Sequence, residues 1–358
     1  MIKSTLFISL GGAGSKLLNE LMNVNPNVNG IFVNSNENEI RRLSNFNIED
    51  GNYLTIKGNG TARSRQKSKE SIENDKTKVM EFVNNLIGNY STYVLITSLD
   101  GGFGSGSFPM ICKAIKNLNK RTGIDVDVNI IGICPKTKSR RINLQNTLEA
   151  YNDIIQLSKN GFISSYQFIN NNKMKNVKEF NREVMEEINN AYSIANIELD
   201  LNDAKAINNA KGYKVILNLK PEMSNNLKDA IMYAQQTSNF ILPKNIGRAT
   251  HIGISFIEDE YDTFEALDLF TVTEFDKEDY NDDNNIIILS GIENPNEAIQ
   301  EYENELNKIE NDDINNEDEI FISNVSSNIM NKYKPKQEKP KSKPLTKQDL
   351  RDLADDIW

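Results

Sequence analysis

The sequence predicts an α/β protein. A parallel, doubly wound domain is joined by a long central helix to a smaller α+β domain, and a disordered tail follows. Three observations predict this. Apolar runs of strand length alternate with helical stretches through the first half. Two of those strands end in glycine-rich loops that open helices. A stretch of helical periodicity, from about residue 176 to 197, then separates this half from one of different character.

Thr5–Leu10 is a short apolar run ending in Gly11-Gly12-Ala13-Gly14, and Lys16–Met22 follows with helical spacing. Gly30–Asn34 is a second strand-like run. Tyr93–Leu99 is a third, ending in Asp100-Gly101-Gly102-Phe103-Gly104-Ser105-Gly106-Ser107. Pro109 suits the first turn of the next helix, which Met110, Ile111, Ala114, Ile115 and Leu118 continue. Val126–Cys134 is a fourth strand and Asn143–Leu157 a further helix. Apolar strands alternating with helices argue for a parallel sheet covered on both faces. In the central stretch Val184, Ile188, Tyr192 and Ala195 recur at steps of three and four.

Beyond it, Lys214–Leu219, Ala249–Phe256, Leu269–Val272 and Ile286–Gly291 read as strands. Asn225–Gln236 and Thr263–Leu267 read as helical, and Asn296–Ile309 as a closing helix. The expected units are 1–175, the central helix and loop 176–203, 204–295, 296–310 and the tail 311–358. Lys332–Lys347 holds seven lysines, one glutamate and three prolines, a composition that stays extended. Thr346 and Asp349 form an N-cap signal for a short terminal helix with Leu350, Leu353, Ile357 and Trp358 on one side.

The chain has 358 residues, 38% of them hydrophobic, and a net charge of −10. An acidic body disfavours general binding to nucleic acid. Cys112 and Cys134 stand in apolar surroundings and read as reduced core thiols. A Ser/His/Asp triad or a histidine-based metal centre would have to run through His251, the single histidine. Its strand-like surroundings favour a structural role. The chain opens directly on a strand without a signal peptide, and no apolar run reaches the roughly 18 residues of a membrane span. The expected location is the cytoplasm, with no membrane partner.

The two glycine-rich loops share a physical logic. Glycine permits turns closed to other residues and lets backbone approach an anion. A helix N-terminus adds free N–H groups and partial positive charge. A phosphate chain is the natural ligand. One such loop says little, because tight strand-to-helix turns need glycine anyway; two in one half say more. Neither fits GxxxxGK[ST], and the first does not satisfy GxGxxG. A nicotinamide-dependent oxidoreductase would use the first loop and leave the second unexplained.

Gly101-Gly102-Phe103-Gly104-Ser105-Gly106-Ser107 resembles the GGGTGTG signature of the tubulin/FtsZ superfamily. It matches at Gly101, Gly102, Gly104, Ser105 and Gly106. Asp100 departs from the usual glycine or alanine, and Phe103 from the usual threonine. Other segments fall in that superfamily's order. Gly11, Gly12, Ala13, Gly14 and Ser15 look like its first phosphate loop. Val33-Asn34-Ser35-Asn36 resembles VNTD. Gly58, Asn59, Gly60 and Thr61 stand where the family senses the γ-phosphate. Pro135-Lys136 falls at the fifth loop, and the resemblance lets Arg141 reach the ribose or phosphates. Asn171 and Asn181 resemble the asparagines that contact guanine, a sensible choice because an amide offers both donor and acceptor. Asparagine is abundant throughout this chain, so a plain structural role stays open for both.

Glu198-Leu199-Asp200-Leu201-Asn202-Asp203 resembles the family's NxDxxD loop. Acids at a helix start are also favoured by the helix dipole alone; the position just after the central helix favours catalysis. An unbroken helix from Asn181 to Asp200 would separate them by roughly 28 Å. That is too far for Asp200 and Asp203 to act on their own subunit's nucleotide. The resemblance thus implies a GTPase that binds GTP or GDP with Mg²⁺, stacks head to tail and hydrolyses GTP at the subunit contact. A scaffold that binds nucleotide without turnover is the alternative that these acids argue against. Within the superfamily the chain resembles the TubZ branch of phages and plasmids. It has a lysine-rich tail in place of the C-terminal anchor peptide of division FtsZ. That branch implies a partner, the adaptor TubR on centromere DNA, reached through the tail; a merely solubilising tail is the other reading.

Overall fold

The computed structural model describes residues 1–58, 60–194, 200–224, 226–281 and 283–316. The sequence expectations for Asn59, Glu198, Leu199 and the lysine-rich tail lie outside the described residues.

The elements run β1 Thr5–Leu10, α1 Gly11–Val24, β2 Asn29–Asn34, α2 Glu37–Ile40, β3 Tyr53–Thr55, α3 Arg65–Asn74, α4 Lys76–Asn84, β4 Thr92–Ser98, α5 Phe103–Arg121 and β5 Asp127–Cys134. Then come α6 Arg141–Lys159, β6 Ser165–Asn170, α7 Val177–Tyr192, α8 Leu201–Asn209, β7 Gly212–Leu219 and α9 Leu227–Thr237. The last are β8 Arg248–Ile257, α10 Thr263–Asp268, β9 Thr271–Asn281, β10 Asn285–Ile292 and α11 Asn296–Asn316.

All ten strands form one sheet in the order β3-β2-β1-β4-β5-β6-β7-β10-β8-β9. Pairing is parallel except where β10 runs antiparallel between β7 and β8. The second half joins the first through Ser165↔Gly212 and Tyr166↔Tyr213. Alternate residues of each central strand feed two cores. Leu6, Ile8, Leu10, Tyr93, Leu95, Val128 and Ile130 face one side, where Phe108, Ile115, Leu144 and Ile154 of α5 and α6 cover them. Phe7, Val94, Ile96, Ile131 and Ile133 face the other, against Leu18, Val184, Ile188 and Tyr192 of α1 and α7. This two-sided burial is why the strands read as continuous apolar runs.

Three of the expected elements differ in placement or extent. The helix after the second glycine-rich loop begins at Phe103, so Pro109 lies well inside it rather than in its first turn. Proline has no N–H and cannot bond the carbonyl four residues back, here that of Ser105. The Arg65 guanidinium takes the vacancy, donating from Nη1 to Ser105 O at 2.6 Å. The central helix ends at Tyr192, short of residue 197, where the Ser193 N–H closes onto the carbonyls of Asn189 and Asn190. β9 extends to Asn281 as a partly exposed edge strand rich in acids; charge on an edge blunts further strand pairing and hides the strand from an apolar-run reading.

Cys112 and Cys134 are buried thiols, and burial pushes both pKa values up. His251 sits on β8 with Nδ1 at 2.9 Å from Thr250 Oγ1, half-buried, its pKa lowered by burial. Among the described residues no helix is long and apolar enough to cross a membrane.

Candidate nucleotide-binding site

β1 and β4 are neighbours, with Leu10 beside Thr97 in register. From β1 the chain winds outward through β2 and β3; from β4 it winds the other way through β5 and β6. This is the point where the winding direction of a doubly wound sheet reverses, and a crevice opens there beyond the strand ends. Both glycine-rich loops emerge into it. Gly11 turns β1 into α1 with φ +76, a conformation that L side chains rarely adopt. The N-termini of α1 and α5 therefore point into one space.

That space is a cavity of about 400 Å³ lined by Gly11, Gly12, Ala13, Asn34, Ser35, Glu39, Gly60, Thr61, Arg63, Ser98, Asp100, Gly101, Gly102, Phe103 and Gly104, among others. Ser35 is 3% exposed, and its hydroxyl lies buried with no hydrogen-bond partner among the described residues. A buried hydroxyl left unpaired is costly, and an oxygen-rich ligand in the cavity would satisfy it.

A second cavity, about 750 Å³, adjoins the first and shares Gly12, Ala13 and Glu39 with it. Its walls are Leu17, Leu43, Ile133, Ile169, Met174, Val177 and Phe180, with Lys16, Arg42, Asn171 and Asn181 as polar lining. Asn171 follows β6 directly, and Asn181 lies in the second turn of α7. Asn176 caps that helix by accepting from the N–H groups of Lys178 and Glu179. Apolar walls with two convergent amides suit a flat heterocycle.

The segment 60–63 closes over the second glycine-rich loop. Ala62 and Arg63 both have positive φ, at 48 and 64, which costs on the order of 1 kcal/mol or more each. Gly102 makes the approach possible, since a Cβ there would stand 2.7 Å from the Arg63 carbonyl carbon. α6 fixes the pair. The Asn146 amide donates to the carbonyls of Arg63, Asp100 and Gly101 at 2.9, 3.1 and 3.2 Å. Asn143 donates to Asp100 Oδ2 at 2.8 Å and accepts from Arg63 Nη1. Arg63 Nη1 lies 4.0 Å from Asp100 Oδ2, and Ser98 Oγ donates to Asp100 Oδ1. The carboxylate that departs from the usual signature is thus held by three side chains.

Other expected site residues lie elsewhere. Gly14, Ser15, Gly58, Ser105, Gly106 and Ser107 line neither cavity. Ser105 donates its hydroxyl to the Gly101 carbonyl of the preceding loop and Ser107 to the Gly104 carbonyl of its own helix, and Ser15 meets Ser9. The Pro135 carbonyl accepts from the Tyr302 hydroxyl at 2.9 Å. Arg141 is half-exposed and pairs with Glu310 of α11 at 3.0 Å, outside both cavities. Arg63, Glu39, Asn143 and Asn146 take places in or behind the site that no motif marked.

Asp200 and Asp203 also lie outside both cavities. Asp200 is the N-cap of α8, with Oδ1 accepting from the N–H of Asn202 at 2.7 Å and of Asp203 at 3.0 Å. Asn208, near the end of α8, donates to Ala191 O at 2.9 Å, so α8 sits at the C-terminal end of α7. Asn181 stands near the other end.

This sheet order, the reversal-point crevice and the two loops facing it define the tubulin/FtsZ fold. The particular relatives make the likeness specific. The tubulin-like protein TubZ of Clostridium botulinum C phage is 20% identical over 316 residues, spanning 84% of this chain and 82% of that protein. The tail-truncated TubZ of Clostridium botulinum phage c-st superposes with a TM-score of 0.77 at 17% identity, covering 87% of this chain and 99% of that one. A GTPγS-bound protofilament of CetZ2 from Haloferax volcanii gives a TM-score of 0.68 at 15% identity, covering 87% and 99%. No known family profile matches the sequence.

Proposed function

We propose that this protein is a GTPase that stacks head to tail into filaments and hydrolyses GTP where one subunit meets the next. One observation carries the reading. A cavity suited to phosphates opens into a cavity suited to a base, at one end of α7. The acids in the best position by motif, Asp200 and Asp203, lie outside both and follow the other end of that helix. In this reading the nucleotide's phosphates lie over Gly11–Ala13 and Gly101–Gly104, and Asn171 and Asn181 read guanine. Asp200 and Asp203 of the next subunit polarise the attacking water, which backbone N–H groups at two helix termini assist by stabilising phosphoryl charge. The GTPγS-bound protofilament of CetZ2 supports both the ligand and the assembly.

The wall of the phosphate cavity also fits a magnesium ion carried by the triphosphate. Glu39 offers carboxylate oxygens there and Ser35 a hydroxyl unpaired among the described residues, hard donors of the kind that ion takes. The ion would neutralise phosphate charge. A nicotinamide dinucleotide would draw on the same crevice but leaves the second glycine-rich loop without a role.

The measurement is phosphate release per chain against protein concentration, with electron microscopy of filaments formed in GTPγS. Turnover is expected to rise cooperatively with concentration. Equal turnover per chain in a dilute monomer and in a filament would end this reading. The likeness to TubZ further supports partition of phage or plasmid DNA, with TubR on centromere DNA engaged by the tail. Deleting residues 332–358 is then expected to leave GTP turnover intact and abolish recruitment to adaptor–DNA complexes.

A further inference from the structure

Arg63 and Asp100 face the phosphate cavity from opposite loops. Among the described residues Arg63 is the one cation lining that cavity, and its side chain is half exposed. Its guanidinium is not spent on a fixed bidentate pair. One nitrogen is shared between Asn143 Oδ1 and, at 4.0 Å, Asp100 Oδ2. Asp100 in turn keeps two other donors, Ser98 and Asn143, so it stays supported if the arginine leaves.

A carboxylate beside a phosphate chain repels it. While Arg63 stands next to Asp100, that charge is offset and a diphosphate meets little net repulsion. A terminal phosphoryl group adds a stronger anion with three acceptor oxygens, and the planar guanidinium fork matches phosphate better than a side-on carboxylate. The backbone of residues 61–63 is locked by Asn146 and by Gly102, so a guanidinium shift is a side-chain motion about a fixed Cα.

We propose that Arg63 reads the terminal phosphate: it rests against Asp100 and Asn143 when the nucleotide is a diphosphate and swings to the terminal phosphoryl group of a triphosphate. Asp100 acts as the resting partner that sets how readily the arginine leaves. The inference rests on the guanine-nucleotide reading above and assigns a specificity role within that site.

The test measures equilibrium affinity for GDP and for GTPγS with the full chain, by displacement of a fluorescent guanine nucleotide at concentrations below assembly. Arg63→Ala is expected to weaken GTPγS by about tenfold or more, the scale of one lost charged hydrogen bond, and GDP by less than about threefold. Arg63→Lys keeps the charge without the fork and should fall between. Asp100→Asn frees the arginine and removes a repelling charge, so GTPγS should tighten relative to GDP, and by more than the same change does in an Arg63→Ala background, where only the repulsion is lost. Equal losses for both nucleotides in Arg63→Ala, or none, would overturn the role of Arg63 while leaving nucleotide binding standing. Wild-type chain that binds neither nucleotide would instead sink the underlying reading, and this inference with it.

Discussion

Arg65 Nη1 donates to the carbonyl oxygen of Ser105, which is the helical partner that Pro109 lacks. Arg65 is 5% exposed, and its guanidinium is also paired with Glu149 at 3.1 Å and with Asp153. It therefore ties the segment behind the cavity at the glycine-rich loops to α5 and α6 at once. Arg65→Met removes this donor and leaves a carbonyl and two carboxylates without their partner. The expected loss is about 2 kcal/mol, the scale of a buried carbonyl left unpaired, since both carboxylates reach solvent. Pro109→Ala restores an N–H aimed at Ser105 O. It should stabilise the Arg65→Met chain by about 1 kcal/mol more than it stabilises wild type, measured by urea denaturation of all four chains. An identical effect in both backgrounds would show that arginine and proline are not linked.

Lys214 is fully buried, with Nζ 4.5 Å from the Tyr192 ring centroid and 3.1 Å from Asn208 Oδ1. Burial pushes its ammonium down to about 7. Below that pH the amine is protonated in folded and unfolded chains alike and adds no pH dependence. Between about 7 and its ordinary 10.5 the unfolded chain keeps a proton that the folded chain has released. Stability should therefore rise with pH across this window, by roughly 1 kcal/mol per pH unit from this group. Denaturation at about pH 7 and about pH 9 should show a gain in wild type that Lys214→Met loses. A gain of the same size in both chains would place the titration elsewhere.

How much of this was legible in the sequence follows from how local each feature is. β1, β4, β5 and their loops were readable because burial on both faces writes an unbroken apolar run, and glycine marks the turn. β6 was not, because Gln167 and Asn170 interrupt it; only pairing with β5 and β7 makes Ser165–Asn170 a strand. The roles of Asn143 and Arg63 depend on an encounter across 80 residues, which no local pattern carries. The same holds for Glu39, which turns back to accept from Asn34 at 3.0 Å. Asn171 and Asn181 were marked by resemblance alone, and the sheet brings them to one cavity.

Asn181 should set base selectivity if the adjoining cavity holds a purine. Asn181→Ala is expected to weaken GDP by about tenfold, since a hydrogen-bonded amide facing an unreplaced base edge costs that much. ADP, which gains nothing from a guanine-reading amide, should change little. Val177→Ala at the same cavity wall controls for lost apolar contact and should weaken both nucleotides alike. Competition binding with the four combinations decides the matter. A parallel loss of GDP and ADP in Asn181→Ala would make the amide structural.

Asp200 is the N-cap of α8 and, in the proposed mechanism, also a water-directing acid, and two substitutions part these roles. As N-cap of α8 its Oδ1 holds the N–H groups of Asn202 and Asp203. Asparagine caps about as well as aspartate, whereas alanine costs about 1 kcal/mol. Asp200→Asn should then melt at the wild-type temperature and Asp200→Ala a few degrees lower. Catalysis asks for something else, a negative charge to polarise water in the neighbouring subunit's site. On that account both variants should form filaments in GTP and both should release phosphate at least about a hundredfold more slowly, within the range of a lost general base. The asparagine variant is decisive because its fold is intact: stable GTP filaments with little phosphate release follow from an acid that acts across the interface. Normal turnover in Asp200→Asn would reduce the residue to its cap and move the search for the water-directing group to Asp203.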